Sequence, residues 1–158
     1  MPVRSLRRRS AATLAVVATL ALVATGCNSD EGGSGGGGDG TVAVTLQEFS
    51  VNPAPASAPA GSVTFDVTNE GPNDVHEFVV FSTDLAPDAL PTGADGSVDE
   101  AGEGLTLIDE IEDIAVGDAP TLTVNLDAGN YVLICNIYDA TEDEAHYQEG
   151  MFVGFTVE

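Results

Sequence analysis

The stretch Cys135-Asn136-Ile137-Tyr138-Asp139-Ala140-Thr141-Glu142-Asp143-Glu144-Ala145-His146-Tyr147-Gln148-Glu149-Gly150-Met151 decides how the chain is read. A thiol, an imidazole and a thioether follow one another in it. Apolar runs flank it on both sides, Tyr131 to Ile134 before and Phe152 to Val157 after. The other histidine, His76, heads a separate apolar run far upstream. These residue types are scarce: the chain has two His, two Cys and two Met, and one Met is the initiator.

Outward from this stretch the chain reads as strands and turns. Val42, Val44 and Leu46 alternate with Thr41, Ala43 and Thr45, the period of a half-buried strand, and Phe49 and Val51 extend the apolar face. Three prolines (Pro53, Pro55, Pro59) keep the next segment out of a sheet centre. Val63, Phe65 and Val67 form a second alternating set, and residues 69–74 are a dense turn signal. Residues 75–81 are almost continuously apolar and predict a central strand. Residues 82–118 leave the choice between short strands and a helical connection open. Alternation returns at Leu122, Val124 and Leu126, and again at Val153, Phe155 and Val157. About seven short strands without a long helix predict an all-β fold, an antiparallel Greek-key two-sheet β-sandwich or barrel over residues 41–158.

The chemistry of the rare residues is specific. A thiolate is a soft, strong donor, imidazoles are intermediate donors, and a thioether is a weak axial one; together they suit copper. Zinc also accepts Cys and His, but a Met ligand favours copper. Singly, each of these residues reads as packing or surface. His76, Cys135, His146 and Met151 jointly read as a metal set, which requires that residues distant in sequence meet at one end of the sandwich.

Three stretches carry a family resemblance: Val75-His76-Glu77-Phe78 after a turn, Gly129-Asn130-Tyr131-Val132-Leu133-Ile134-Cys135-Asn136, and His146-Tyr147-Gln148-Glu149-Gly150-Met151. Over Thr41 to Glu158 the chain resembles a cupredoxin domain, the family of plastocyanin, azurin and rusticyanin. The resemblance implies one type 1 copper held by His76, Cys135, His146 and Met151. It also implies one-electron transfer, often through an exposed edge of the second histidine. Two departures stand out. Ten residues separate Cys135 from His146, where the family usually has two to four, and the excess is polar and acidic, as in a solvated bulge. Glu77 follows the first histidine where many members have Asn or Ser.

The start of the chain addresses the domain. Residues 1–26 read as a secretory signal, with Arg4, Arg7, Arg8 and Arg9 ahead of an apolar stretch too short to span a membrane. Val23-Ala24-Thr25-Gly26-Cys27 resembles a bacterial lipobox, so Cys27 is the expected lipidation site; an ordinary signal cut near Ala24 is the alternative. Seven glycines among residues 28–40 make a flexible linker spanning about 20 Å. Residues 27–40 are thus expected to tether the domain to the extracytoplasmic face of the cell membrane. All four basic residues precede Cys27 and all 26 acidic residues follow it, so the chain from Cys27 carries 0 − 26 = −26. Such a surface repels nucleic acid and favours a cationic partner such as a cytochrome or oxidase domain. It also reads simply as solubility, since exposed charges are screened beyond ~8 Å.

No acid/base dyad, nucleophile arrangement or phosphate-binding glycine loop stands out, so an enzyme is not expected. Three functions remain: a tethered one-electron copper carrier, a copper-binding or delivery protein without redox traffic, and a metal-free β-sandwich interaction module. The last requires that the four side chains do not converge.

Overall fold

The computed structural model describes residues 40–158. The expected signal, the linker before Gly40 and the expected lipidation site Cys27 lie outside the described residues. Two sheets face each other. The first has the order β2-β1-β4-β7, formed by β2 (Ser50–Ala54), β1 (Gly40–Gln47), β4 (Gly61–Asn69) and β7 (Thr121–Leu126). The second has the order β3-β11-β8-β5-β6, formed by β3 (Ser57–Ala58), β11 (Phe152–Val157), β8 (Gly129–Ile134), β5 (His76–Ser82) and β6 (Thr106–Ile114).

The period-two pattern places the core. Val42, Val44 and Leu46 of β1, Val63, Phe65 and Val67 of β4, and Leu122, Val124 and Leu126 of β7 point inward from the first sheet. Phe78 and Val80 of β5, Tyr131 and Leu133 of β8, and Phe155 and Val157 of β11 meet them from the second. Phe65 sits at the centre, with ring centroids 5.3 Å from Phe78 and 5.5 Å from Phe155.

The alternation through Phe49 and Val51 hides a reversal. Gln47 pairs with Ser50, so Glu48 and Phe49 form a two-residue turn and β2 runs back along β1. Pro53 lies on β2, an edge strand, where a missing N–H costs least. The sheets are mixed rather than purely antiparallel. β1 runs parallel to β4, and β3 runs parallel to β11. Between β2 and β4 the chain crosses to the second sheet as β3, and so re-enters the first sheet in the direction of β1.

β5 and β8 are almost continuously apolar because both of their faces are covered. Val79, Phe81, Val132 and Ile134 point away from the main core and pack with Leu90, Val98 and Tyr147. The segment between β5 and β6 supplies that cover; its one ladder contact is an isolated Thr92–Val98 bridge. β6 then settles the second half of the open region as a strand. It is an edge strand with two irregularities in its pairing to β5, and Asp109, Glu110, Glu112 and Asp113 charge it. Bulges and charge of this kind blunt an edge against further pairing, and they also break the alternation that would announce a strand.

Because Phe65 bridges both sheets at full burial, Phe65→Ala is expected to cost about 3–5 kcal/mol. Chemical denaturation checks this, with the midpoint falling and the slope unchanged.

Candidate metal centre

Three donor groups meet at one pole of the sandwich. His76 is the first residue of β5, Cys135 directly follows β8, and His146 opens α1, a single helical turn (His146–Glu149). His76 Nδ1 lies 3.3 Å from His146 Nδ1. Cys135 Sγ lies 3.8 Å from His76 Nδ1 and 3.4 Å from His146 Nδ1. A triangle with those sides has a circumradius of about 2.0 Å, the length of a first-row metal–nitrogen bond. One ion held among them would reach all three donors, the His₂Cys set that suits copper. His76 and Cys135 are fully buried and His146 is 2% exposed.

Main-chain bonds hold the donors in place. The Cys135 N–H donates to Met151 O at 3.0 Å, and the Met151 N–H donates to His146 O at 3.0 Å. The fully buried Met151 is thus locked to both neighbouring ligand residues. Gly150 makes this possible: its φ of 115° ends α1 in the left-handed region, which a side chain would disfavour. The Glu77 N–H donates to Cys135 Sγ at 3.2 Å. That bond uses the backbone, so the departure at Glu77 leaves it intact. The Glu77 carboxyl is pushed up to about 7 by burial, with Glu110, Glu100, Glu112 and Asp113 adding to the effect.

The ten residues between Cys135 and His146 fold on themselves. Tyr138–Asp139 (β9) pairs antiparallel with Glu144–Ala145 (β10). Asp139 Oδ1 accepts the N–H groups of Thr141 and Glu142, and the Tyr138 hydroxyl donates to Asp143 at 2.6 Å. The His146 N–H closes the base on Ile137 O at 2.9 Å. The insertion is a small solvated hairpin, and it leaves the ligands together. The resemblance implies an exposed edge on the second histidine, whereas His146 is covered. It lines a surface depression with Asn73, Asp74, Val75, Asp113, Ile137, Tyr138 and Asp139.

The segment that sequence left open turns out to support this pole. The Val98 N–H donates to Asn136 Oδ1 at 2.6 Å, and Asn136 Nδ2 donates back to Val98 O and to Glu100. The Tyr147 hydroxyl donates to Pro87 O at 2.9 Å and accepts the Leu90 N–H. Asn136 and Tyr147 each adjoin a ligand. On the other side, the buried Asn69 shapes the turn into His76: Nδ2 donates to Asp74 O and Ile114 O, and Oδ1 accepts the Gly71 N–H. Asn69 also belongs to the turn signal, but its burial has no sequence signature.

The electrostatics follow from burial. Desolvation pushes the Cys135 thiol up to about 12, against the backbone bonds from Glu77 and Ile137. Desolvation also lowers both imidazoles from their ordinary value. His146 lowers His76 further, and nearby carboxylates oppose the shift at both rings. Glu48, which sequence reasoning passed over, lies beside His76. Burial alone raises its carboxyl, but N–H bonds from Asp74 and Asn73, with His76, bring it below its ordinary value. With neutral imidazoles and a thiol whose proton a cation can displace, the residues present fit a soft, thiophilic metal ion.

No protein-family model and no curated protein matches the sequence. Solved structures do match. A dithionite-reduced auracyanin from the photosynthetic bacterium Roseiflexus castenholzii is similar at 21% identity and a TM-score of 0.53, over 77% of this chain and 99% of that one. Auracyanin A, a "blue" copper protein from the green thermophilic photosynthetic bacterium Chloroflexus aurantiacus, is similar at 18% identity and a TM-score of 0.51, over 77% and 100%. Rusticyanin from Thiobacillus ferrooxidans is similar at 16% identity and a TM-score of 0.52, over 77% and 79%. With this architecture and these neighbours, the described chain has the cupredoxin fold, and His76, Cys135 and His146 bring three donor atoms together at its pole, with the buried Met151 bonded through its backbone to two of them.

Proposed function

We propose that this chain is a one-electron carrier that holds a single type 1 copper ion, is exported, and is tethered through Cys27 to the extracytoplasmic face of the cell membrane. The observation that supports it most is the triangle of His76 Nδ1, His146 Nδ1 and Cys135 Sγ, with sides of 3.3 to 3.8 Å. Bound copper supplies a one-electron couple. The chain's own residues keep that couple fast. The donors are buried and tied by backbone bonds, so little rearranges when the charge of the site changes. No acid, base or nucleophile is needed, and the protein is proposed to carry electrons rather than to catalyse a reaction.

The partner is a cationic redox protein. Asp74, Asp113 and Asp139 line the depression that leads to His146, and the chain beyond Cys27 has no basic residue. A cationic cytochrome or oxidase domain fits that surface. Encounter with it is steered by charge and slows as salt screens the field.

Adding Cu(II) to the metal-free protein is expected to give an intense band near ~600 nm from the copper–thiolate bond. Cys135→Ser should abolish the band, and Met151→Gln should keep it while shifting the reduction potential. A colourless protein that takes Zn(II) equally well contradicts the proposal, and a blue protein with no reversible couple points to copper delivery instead. The proton balance gives a second check. At pH 7.5 both imidazoles, lowered from 6.5, are already neutral, while the thiol, raised to about 12, holds its proton. Binding should therefore release about one proton per ion, and affinity should rise as pH rises toward the thiol value. Calorimetry in buffers of different ionisation enthalpy measures this; release of two or more protons contradicts it. Third, stopped-flow reduction by a cationic cytochrome should slow markedly between low and physiological salt. A rate that does not change with salt contradicts the acidic docking surface.

A further inference from the structure

One hairpin turn touches both histidines. Glu48 and Phe49 join β1 to β2. The Phe49 ring meets His146 nearly edge-on, with centroids 5.2 Å apart at 66°. Glu48 Oε1 lies 3.9 Å from His76 Nε2; the Glu48 side chain is 10% exposed and the imidazole is fully buried.

The bonding around Glu48 is half complete. Oε1 accepts the Asn73 N–H at 3.0 Å and the Asp74 N–H at 2.6 Å, which fixes the carboxylate against the loop that enters β5. Oε2 is buried and has no hydrogen-bond partner, and neither has the buried Nε2 of His76. Buried polar atoms left unpaired are costly, and the carboxylate lies close enough to His76 Nε2, 3.9 Å at Oε1, that a small movement can give the ring N–H an acceptor. The proton inventory points the same way. His76 Nδ1 faces Cys135 and His146, so an ion there takes the Nδ1 lone pair. A neutral ring then carries its proton on Nε2, toward Glu48.

Resting on the copper reading above, we propose that Glu48 is the positioning residue of His76. Its carboxylate accepts the Nε2–H of the metal-bound imidazole, fixes the ring, and places one poorly screened negative charge beside the copper ligands. A carboxylate behind a ligating histidine makes the ring a stronger donor. Stronger donation and nearby negative charge both favour the more highly charged metal. Glu48 thus stabilises Cu(II) over Cu(I) and lowers the reduction potential. A purely structural Glu48 would only hold Asn73 and Asp74 through Oε1.

Glu48→Gln separates the two roles, since the amide keeps an oxygen for Asn73 and Asp74 but loses the charge. The control is Glu158→Gln, which removes an equal charge just beyond β11 at the end opposite Cys135. The full chain, loaded with copper, is examined by redox titration together with Cu(II) and Cu(I) affinities and thermal unfolding. Glu48→Gln is expected to weaken Cu(II) about 10–100-fold and Cu(I) much less, so that the potential rises. Each tenfold change in the ratio of the two affinities is 59 mV for one electron. Glu158→Gln should leave the ratio unchanged. Glu48→Asp keeps the charge but withdraws it by a methylene, and its potential should fall between wild type and Glu48→Gln. Equal potentials for Glu48→Gln and Glu158→Gln overturn the proposal, whatever happens to the melting temperature. If Glu48→Gln does not fold, a Glu48→Asp potential equal to wild type overturns it. A wild-type protein that takes copper without the ~600 nm band fails the copper reading itself, and the role of Glu48 falls with it. A blue wild type with unmoved variants fails the role of Glu48 alone.

Discussion

A buried thiol facing two buried imidazoles is the constraint on which this pole depends. Cys135 and His76 are fully buried, and no basic residue of the described chain lies anywhere to neutralise a thiolate. Three polar groups gathered at 3.3 to 3.8 Å contribute less to stability than an apolar cluster of the same volume. The surrounding main chain nevertheless holds them there from three elements at once. β5 supplies His76 and the Glu77 N–H, β8 leads into Cys135, and α1, tied to the start of β11 through Met151, supplies His146. Such an arrangement is understandable as a place for a cation.

Main-chain fixation explains how the site tolerates its unusual loop. The bonds Cys135 N–H to Met151 O, Met151 N–H to His146 O, and His146 N–H to Ile137 O leave residues 138–145 outside the ring they close. Extra residues inserted between Ile137 and His146 can form their own hairpin without moving a ligand. Tyr138 and Asp139 of the hairpin line the depression at His146. Under the proposed function, an electron leaving by His146 would cross a depression lined by acidic side chains.

The convergence of His76, Cys135 and His146 was legible in the sequence because their residue types are rare and each lies beside an apolar run or a turn. The central place of β5 was legible from its unbroken apolar run, which burial on both faces explains. The rest was hidden for physical reasons. Alternation through Phe49 and Val51 is what one continuous strand would show, and only pairing reveals the turn at Glu48. β6 lost its pattern to bulges and acidic edge residues. The segment before it has almost no ladder of its own, and its conformation is set by contacts with Asn136, Tyr147 and the outer face of the second sheet. Contacts of that kind join residues far apart in the chain and leave no local period. The parallel pairing of β1 with β4 was likewise invisible, since period two is the same in either direction.

X-ray absorption at the copper edge reads the donor set of the loaded site. The loaded protein should show two nitrogen neighbours near ~2.0 Å and one sulfur near ~2.3 Å, nearly unchanged between the oxidised and reduced forms. A first shell of nitrogen and oxygen alone, or one that loses its sulfur or a nitrogen on reduction, would contradict it.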